Sequence, residues 1–158
     1  MSQPPVEVAI EITAPPETVW TLVADLPRMG EWSPECTGVT WKGGATAARP
    51  GARFSGHNRR GIRRWSTQGR IVTAAPGSEL SWETRALGLP GGLWGYRIEP
   101  TDGGSRVTEF WEDRRGGLLK TLGPVATGVT DRAAHNRAGM QTTLERLKAA
   151  AERVAGGG

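Results

Sequence analysis

Apolar and polar positions at the start of the chain predict a strand followed by short helices. Valine and isoleucine occupy every second position from Val6 to Ile12, and mainly polar residues stand between them. A period of two is typical of a strand with one buried face. Apolar residues then recur at helical spacing over 19–26, after a Pro15-Pro16 pair that suits the first turn of a helix. We therefore predict one strand, a short helix that ends at Pro27, and a second brief turn or helix over 29–34.

The middle of the chain predicts an antiparallel meander of six further strands. Short runs rich in β-type residues alternate there with clusters of glycine and proline. Such clusters supply the backbone conformations that tight hairpin turns require. The predicted strands cover residues 36–42, 52–59, 63–74, 79–86, 93–100 and 105–113. The predicted turns are Lys42-Gly43-Gly44, Arg60-Gly61, Pro76-Gly77, Gly91-Gly92 and Asp102-Gly103-Gly104.

The last part of the chain predicts one long helix. Residues 116–128 are apolar but have no clean period, which indicates a loop. From Asp131 onward, apolar residues between Met140 and Val154 form a single stripe at helical spacing, and the glycines at 156–158 predict a frayed end. A curved sheet of seven strands needs a cover on its apolar face, and this helix is the only predicted element long enough. Because one helix cannot fill the whole concavity, we expect a cavity beneath it.

The composition is that of a folded protein with one domain. The chain has 158 residues, of which 37% are hydrophobic and 23% charged, and its mean hydropathy is −0.42. This length suits a single hydrophobic core, so we predict one α+β domain over 1–158 with its core at about 6–154. The sequence has neither an amino-terminal signal pattern nor an apolar run long enough for a membrane span, which leads us to expect a cytoplasmic protein. The single cysteine, Cys36, excludes an internal disulfide framework and a cysteine-rich zinc site.

Four segments carry a resemblance to a known family. They read APPETVWTLVADL over 14–26, EWSPE over 31–35, PGSELSW over 76–82 and GSRVTE over 104–109. In these segments, and in the order of its predicted elements, the chain resembles the polyketide cyclase/dehydrase and lipid-transport family of the START-like (SRPBCC) superfamily. The resemblance implies a helix-grip fold, in which a curved antiparallel sheet wraps around a long carboxy-terminal helix and a deep pocket takes apolar or aromatic small molecules. It does not imply one activity, because members range from carriers and sensors to aromatase/cyclases without a shared catalytic motif.

Strand parity predicts which side chains face the pocket. Large aromatic groups share one face on neighbouring predicted strands, and the chain has seven tryptophans against one tyrosine and two phenylalanines, which indicates flat apolar walls. At the amino end of the long helix, small and polar residues replace the leucines, which indicates the roof of the pocket. By the resemblance, Trp32 and the apolar stretch 118–122 are candidates for a gate. The predicted ligand-binding residues are Trp32, Arg63, Trp65, Thr67, Trp82, Trp94, Tyr96, Glu109, Trp111, Ala133, Asn136 and Met140.

Glu109 is a carboxylate at an inward-facing position, in a strand whose other inward residues are mainly apolar. An unpaired carboxylate in such a place is costly or becomes protonated, so we expect Glu109 to have a partner, with Arg63 and Arg137 as candidates. Two interpretations stay open. One is a structural glutamate that pairs or reaches solvent, and the other is a polar anchor or general acid or base of the pocket. The catalytic candidates, if the protein is an enzyme, are Glu109, Tyr96 and Arg63.

The sequence lacks the other common catalytic constellations. His57 and His135 have no partner at metal-binding spacing, and helical geometry predicts that His135 faces solvent. Cys36 has no adjacent cation and is interpreted as an inert thiol. No glycine-rich phosphate loop with a lysine and a following helix occurs. We therefore expect no cofactor and no metal.

Three functions follow, in order of support. The first is binding of a small hydrophobic or aromatic molecule, such as a polyketide, lipid or related metabolite, between the sheet and the long helix. The second is a cofactor-independent polyketide aromatase/cyclase or dehydratase that positions a flexible chain and moves protons. The third is nucleic-acid binding through the arginine-rich hairpin Arg59–Arg64, which a formal charge of +4 and a pI near 10.0 permit but no motif supports. The sequence leaves open the ligand, the oligomeric state and whether the protein catalyses a reaction.

Overall fold

The alternating segments assemble into one seven-stranded antiparallel sheet in the computed structural model, which describes residues 4–157. Its strands are β1 (Val6–Ile12), β2 (Cys36–Lys42), β3 (Arg53–Arg60), β4 (Arg63–Ala75), β5 (Glu79–Ala86), β6 (Leu89–Thr101) and β7 (Gly104–Asp113). Each strand from β2 to β6 pairs with the next along the chain, and β1, at one edge of the sheet, pairs with β7. The predicted meander and the predicted curved sheet of seven strands are therefore confirmed.

Helices cover the concave face of the sheet. A short helix α1 (Pro16–Ala24) and a 3₁₀ helix (Leu26–Glu31) follow β1, while α2 (Gly117–Thr127) and the long α3 (Arg132–Gly157) follow β7. The leucines of α3, at Leu144 and Leu147, are completely buried in a core shared with α1 and the sheet. This arrangement confirms the predicted helix-grip fold. None of the helices in the described chain is both long and apolar enough to cross a bilayer.

The segment predicted as a loop at 116–128 contains helix α2, so that prediction is wrong. Glycines and Pro124 interrupt the apolar period in the sequence, yet Leu119 and Thr127 are buried against the rest of the protein. Tertiary packing of this kind stabilises short helices whose own propensity is weak. The helix ends at Gly128, whose φ of 75° lies in the left-handed region that favours glycine.

The turn between β5 and β6 lies earlier than predicted. It falls at Leu87-Gly88, where both residues have a positive φ, of 55° and 76°. The predicted turn, Gly91-Gly92, lies inside β6 instead. A Cβ atom on Gly92 would lie 2.5 Å from Nε1 of Trp111, so this glycine leaves room for a neighbouring side chain and does not form the turn.

The carboxy-terminal glycines also differ from the prediction. Helix α3 continues to Gly157, where the sequence predicts a frayed end from residue 156. The helical hydrogen bonds are made by the backbone, which glycine weakens but does not remove. Gly158 and residues 1–3, which the predicted domain includes, lie outside the described residues.

Candidate functional site

A cavity of about 800 Å³ lies between the concave face of the sheet and the amino-terminal half of α3. Its lining on α3 runs from Arg132 to Thr143, and α2 contributes Leu119 and Leu122. Beyond Thr143 the helix packs Leu144 into the core, which closes that end. The cavity is therefore the part of the concavity that α3 leaves unfilled.

Aromatic rings on adjacent strands form one wall of the cavity. The strand register sets Trp82 opposite Trp94, and Trp94 opposite Trp111. The ring centroids of Trp94 and Trp111 are 6.0 Å apart, and those of Trp82 and Tyr96 are also 6.0 Å apart. Phe54 on β3 extends the row, with its ring 6.4 Å from that of Trp82. Tilted aromatic pairs at this spacing stabilise each other and present a broad apolar surface.

Nine of the twelve residues that the sequence predicts to bind a ligand line this cavity. The seven on strands share the inward parity of the sheet, because side chains alternate between its faces. Their contact with a ligand stays a prediction. The nine residues are Trp65, Thr67, Trp82, Trp94, Tyr96, Glu109, Trp111, Asn136 and Met140.

The other three residues predicted to bind a ligand are not among those that line the cavity, so the predicted position of each is wrong. Arg63 has the inward parity but begins β4 at the exposed tip of the hairpin, where its guanidinium approaches Gly128 at the end of α2. Ala133 packs instead against a buried cluster that contains Trp111. Trp32, predicted as a gate, is only 2% exposed because it is packed into the main core.

Glu109 on β7 is buried and lines the cavity. Its Oε2 atom has no hydrogen-bond partner among residues 4–157, and burial raises its pKa to about 8. Arg63 lies at the exposed hairpin tip, and Arg137 donates to the carbonyl oxygen of Glu7 at 3.3 Å. The expected ion pair with either arginine is therefore wrong. At neutral pH the side chain is instead a carboxylic acid that can donate a hydrogen bond.

Two further neutral polar groups line the cavity. Tyr96 lies directly opposite Glu109 in the register of β6 and β7, and burial, followed by the charge of Glu109, raises the pKa of the Tyr96 hydroxyl. Nδ2 of Asn136 is buried without a partner in the described part of the chain, while its Oδ1 accepts from Arg132 at 3.5 Å. Buried polar atoms are nearly always paired in folded proteins. The unpaired atoms of Glu109 and Asn136 are therefore the natural places for polar atoms of a ligand.

A charged cluster that was not predictable from the sequence also lines the cavity. Glu35, just before β2, accepts from Arg132 at 3.1 Å, and its Oε2 lies 2.7 Å from Nε2 of His135. The prediction that His135 faces solvent is wrong, because the segment that carries Glu35 packs on that side of α3 and leaves the His135 side chain 32% exposed. The i, i+3 spacing of Arg132 and His135 places both on one helix face, but it does not reveal a carboxylate some hundred residues away.

The Glu35 cluster is expected to contribute to stability. Glu35→Gln should lower the free energy of unfolding by about 1 to 2 kcal/mol, because it leaves the partly buried Arg132 without its carboxylate. The matched control is Glu31→Gln, which removes an ion pair with Arg28. The side chains of Glu31 and Arg28 are 54% and 41% exposed, so this variant should change the free energy of unfolding by less than about 0.5 kcal/mol. Urea unfolding at neutral pH measures both variants, and equal effects would contradict a structural role for Glu35.

The cavity lining combines neutral polar groups, the Glu35–His135 pair and four arginines. Within residues 4–157, no three histidine, cysteine, aspartate or glutamate side chains are grouped so that they could hold a metal ion. Cys36 lines the cavity, and burial raises the pKa of its thiol, which therefore stays protonated at neutral pH. Proton transfer and hydrogen bonding are thus the chemistry that these side chains themselves can supply.

Comparison with known sequences identifies one family. The sequence profile of the family described as "Polyketide cyclase / dehydrase and lipid transport" matches residues 3–152 of this chain. No curated protein sequence matches it significantly.

Comparison with solved structures identifies similar folds. A protein from Chromobacterium violaceum is 20% identical with a TM-score of 0.69, over 94% of this chain and 96% of that one. A polyketide-cyclase-like protein from Corynebacterium glutamicum is 29% identical with a TM-score of 0.57, over 95% and 90% of the two chains. The di-domain ARO/CYC StfQ of the steffimycin biosynthetic pathway is 18% identical with a TM-score of 0.74, and the match covers 96% of this chain and 51% of that one.

Proposed function

Because the chain belongs to the polyketide cyclase/dehydrase and lipid-transport family, we propose that it binds a small hydrophobic or aromatic molecule between the sheet and α3. The observation that carries the proposal is the cavity of about 800 Å³ walled by Trp65, Trp82, Trp94 and Trp111. This volume is in the range of pockets that enclose small organic ligands. Broad tryptophan faces suit a planar or ring-bearing molecule.

Two buried hydrogen-bond donors favour a ligand that also carries an oxygen acceptor. The protonated carboxyl of Glu109 and Nδ2 of Asn136 both donate, and neither has a partner in the described chain. A ligand made of hydrocarbon alone would leave both groups unsatisfied, at a cost of about 1–3 kcal/mol each. Carbonyl or hydroxyl oxygens, which polyketides and oxidised lipids carry, would accept these hydrogen bonds.

Binding is tested on protein isolated from its own cells and with a neutral aromatic probe. Native mass spectrometry is expected to show protein that retains a small molecule. Pyrenebutanol is expected to quench the tryptophan fluorescence in a saturable titration, since pyrene would lie close to the tryptophans of the cavity wall. The absence of both a retained molecule and saturable probe binding would contradict the proposal.

A variant that fills the cavity is expected to block the probe. Thr143 on α3 is buried and lines the cavity, so Thr143→Phe should weaken pyrenebutanol binding at least about tenfold, which corresponds to about 1.4 kcal/mol. Val72→Phe is the matched control, because it adds the same ring at a position of β4 that is 44% exposed and does not line the cavity. Fluorescence titration measures both variants. An equal loss of affinity in the two would indicate a general disturbance and count against binding in the cavity.

A second candidate function is the cyclisation of a polyketide-type chain with loss of water. The observation that favours this function is the protonated carboxyl of Glu109 beside Tyr96. An acid that keeps its proton at neutral pH can deliver it to a carbonyl oxygen or to a departing hydroxyl group. The Glu35–His135 pair offers a base in the same cavity. The test is conversion of a linear poly-β-ketone thioester into an aromatic product, followed by absorbance. Turnover that Glu109→Gln abolishes, with pyrenebutanol binding retained, would establish the enzyme, whereas turnover unchanged in that variant would exclude Glu109 from the chemistry.

A further inference from the structure

One side of the cavity is bordered by the tip of the β3–β4 hairpin, and we call this exposed side the mouth. Arg59 and Arg60 line the cavity there and are exposed to solvent. Nε of Arg59 donates to the carbonyl oxygen of Gly61 at 2.9 Å, and Nη1 of Arg60 donates to that of Gly128 at 3.3 Å. Within residues 4–157, no carboxylate lies within ion-pair distance of either guanidinium, and each keeps nitrogen atoms that can donate further hydrogen bonds.

Two more arginines line the cavity, but both are paired. Arg115 donates to both carboxylate oxygens of Asp113 at 2.9 Å, and Arg132 donates to Glu35 at 3.1 Å. Burial has the largest effect on the pKa of Arg132 and lowers it, Glu35 raises it, and the charges of Arg115 and Arg60 lower it further. The guanidiniums of Arg60 and Arg115 are therefore close enough to repel that of Arg132.

The lining of the cavity has an excess of positive charge at the mouth. The lining includes Arg59, Arg60, Arg115 and Arg132, and Asp113 and Glu35 pair with the last two, which leaves Arg59 and Arg60 without a carboxylate partner within residues 4–157. At the tryptophan wall, Glu109 and Tyr96 carry no positive charge, and the guanidinium of Arg115, whose Cζ lies 5.8 Å from the centroid of the Trp111 ring, is already paired with Asp113. At the mouth, the arginines would stabilise an anionic group of a ligand. At the tryptophan wall, the same group would lose its hydration and gain no charged partner in exchange.

We infer that the ligand is an amphipathic organic oxyanion, whose carboxylate or phosphate is held at the mouth by Arg59 and Arg60 while its apolar, ring-bearing part lies against the tryptophans. This inference rests on the proposed binding function and narrows the class of ligand. The planar fork of a guanidinium matches the paired oxygens of both anions. It also gives the arginine-rich hairpin a specific role as the anion-binding side of the cavity.

Three probes with the same apolar part separate the effect of charge on affinity from the effect of the apolar part. Pyrenebutanoic acid and pyrenebutyl phosphate are anions, and pyrenebutanamide is the neutral analogue. The wild-type protein is expected to bind both anions at least about tenfold more tightly than the amide, as charge-assisted hydrogen bonds predict. Whichever of the two anions binds more tightly identifies the preferred head group, carboxylate or phosphate.

Comparison of two arginine variants tests whether the anionic group of the probe binds at the mouth. Arg60→Gln is expected to weaken both anions by about five- to tenfold and to leave the amide unchanged. The matched control is Arg64→Gln, which removes an exposed arginine of the same hairpin that does not line the cavity, and it is expected to change the affinity of the anions less than twofold.

The outcomes are distinguishable. Equal affinity of the wild-type protein for the amide and the anions would overturn this inference and leave the proposed binding function standing. Equal losses in Arg60→Gln and Arg64→Gln would also overturn it, because they would show a general effect of net charge. Failure of all three pyrene probes to bind would overturn the proposed function and this inference with it.

Discussion

Glu109→Gln is expected to make the protein more stable than the wild type at pH 8, by about 3 to 5 kcal/mol, and to have little effect near pH 4. The pKa of Glu109 is about 8 in the folded protein and 4.5 for an ordinary glutamate. Each unit of difference corresponds to about 1.4 kcal/mol. Glutamine has nearly the same shape, never ionises and keeps a hydrogen-bond donor.

The direction of the pH dependence follows from the raised pKa. Below pH 4.5 the carboxyl is protonated in the folded and unfolded chains, so it contributes no difference. Between pH 4.5 and about 8 the unfolded chain releases the proton while the folded protein keeps it, so the wild type loses stability as the pH rises. Above about pH 8 the loss is complete, and the advantage of Glu109→Gln is largest.

Urea unfolding at pH 5 and pH 8 measures this effect. Glu112→Gln is the matched control, because Glu112 is on the same strand but 40% exposed, and pairs with Arg114 at the surface. It should change stability by less than about 0.5 kcal/mol at either pH. A stabilisation by Glu109→Gln that does not grow with pH would contradict a buried, protonated carboxyl.

Gly69→Ala is expected to lower the free energy of unfolding by about 2 to 3 kcal/mol, through overpacking of the aromatic wall. A Cβ atom at Gly69 would overlap the ring of Phe54, its partner in the register of β3 and β4. That ring cannot move freely, because its centroid is 6.0 Å from that of Trp41 and 6.4 Å from that of Trp82. Since Phe54 lines the cavity, the variant should also weaken pyrenebutanol binding.

The control for Gly69→Ala is a strand glycine with free space around it. A Cβ atom at Gly38 on β2 would meet no atom within 4 Å, so Gly38→Ala should leave stability within about 0.5 kcal/mol of the wild type. Adding Phe54→Leu to Gly69→Ala removes part of the overlapping ring and should recover part of the loss. Thermal and urea unfolding measure these variants, and a Gly69→Ala protein as stable as the wild type would contradict the overlap.

The two candidate functions differ in what they require of Glu109. A binding protein needs only its hydrogen-bond donor, which glutamine preserves, so Glu109→Gln would keep its ligand and gain stability. An enzyme that uses the carboxyl to transfer a proton would gain the same stability but lose turnover. Stability, binding and turnover of this one variant therefore separate the structural, binding and catalytic roles of the residue.

The elements of the sheet and the inward direction of its aromatic residues were predictable from the sequence. Side chains on a strand alternate with a period of two, so Trp82, Trp94, Trp111 and Glu109 could be assigned to one face from their positions alone. The boundaries of β2 and β5 agree with those predicted from the glycine and proline clusters that separate the strands. Helix α2 could not be predicted in this way, because packing against the rest of the protein, and not its own pattern, stabilises it.

Local pattern thus predicted the strands, their antiparallel meander and which of their faces are buried, because those follow from the geometry of the backbone. The contacts that each inward-facing or outward-facing side chain makes depend on the tertiary packing. Parity is the same for Arg63 and Trp65, yet one lies at the exposed hairpin tip and the other lines the cavity. The pairing of Glu35 with His135, and the lack of a partner for Oε2 of Glu109 within residues 4–157, depend on segments far apart in the chain, whose contacts no local period encodes.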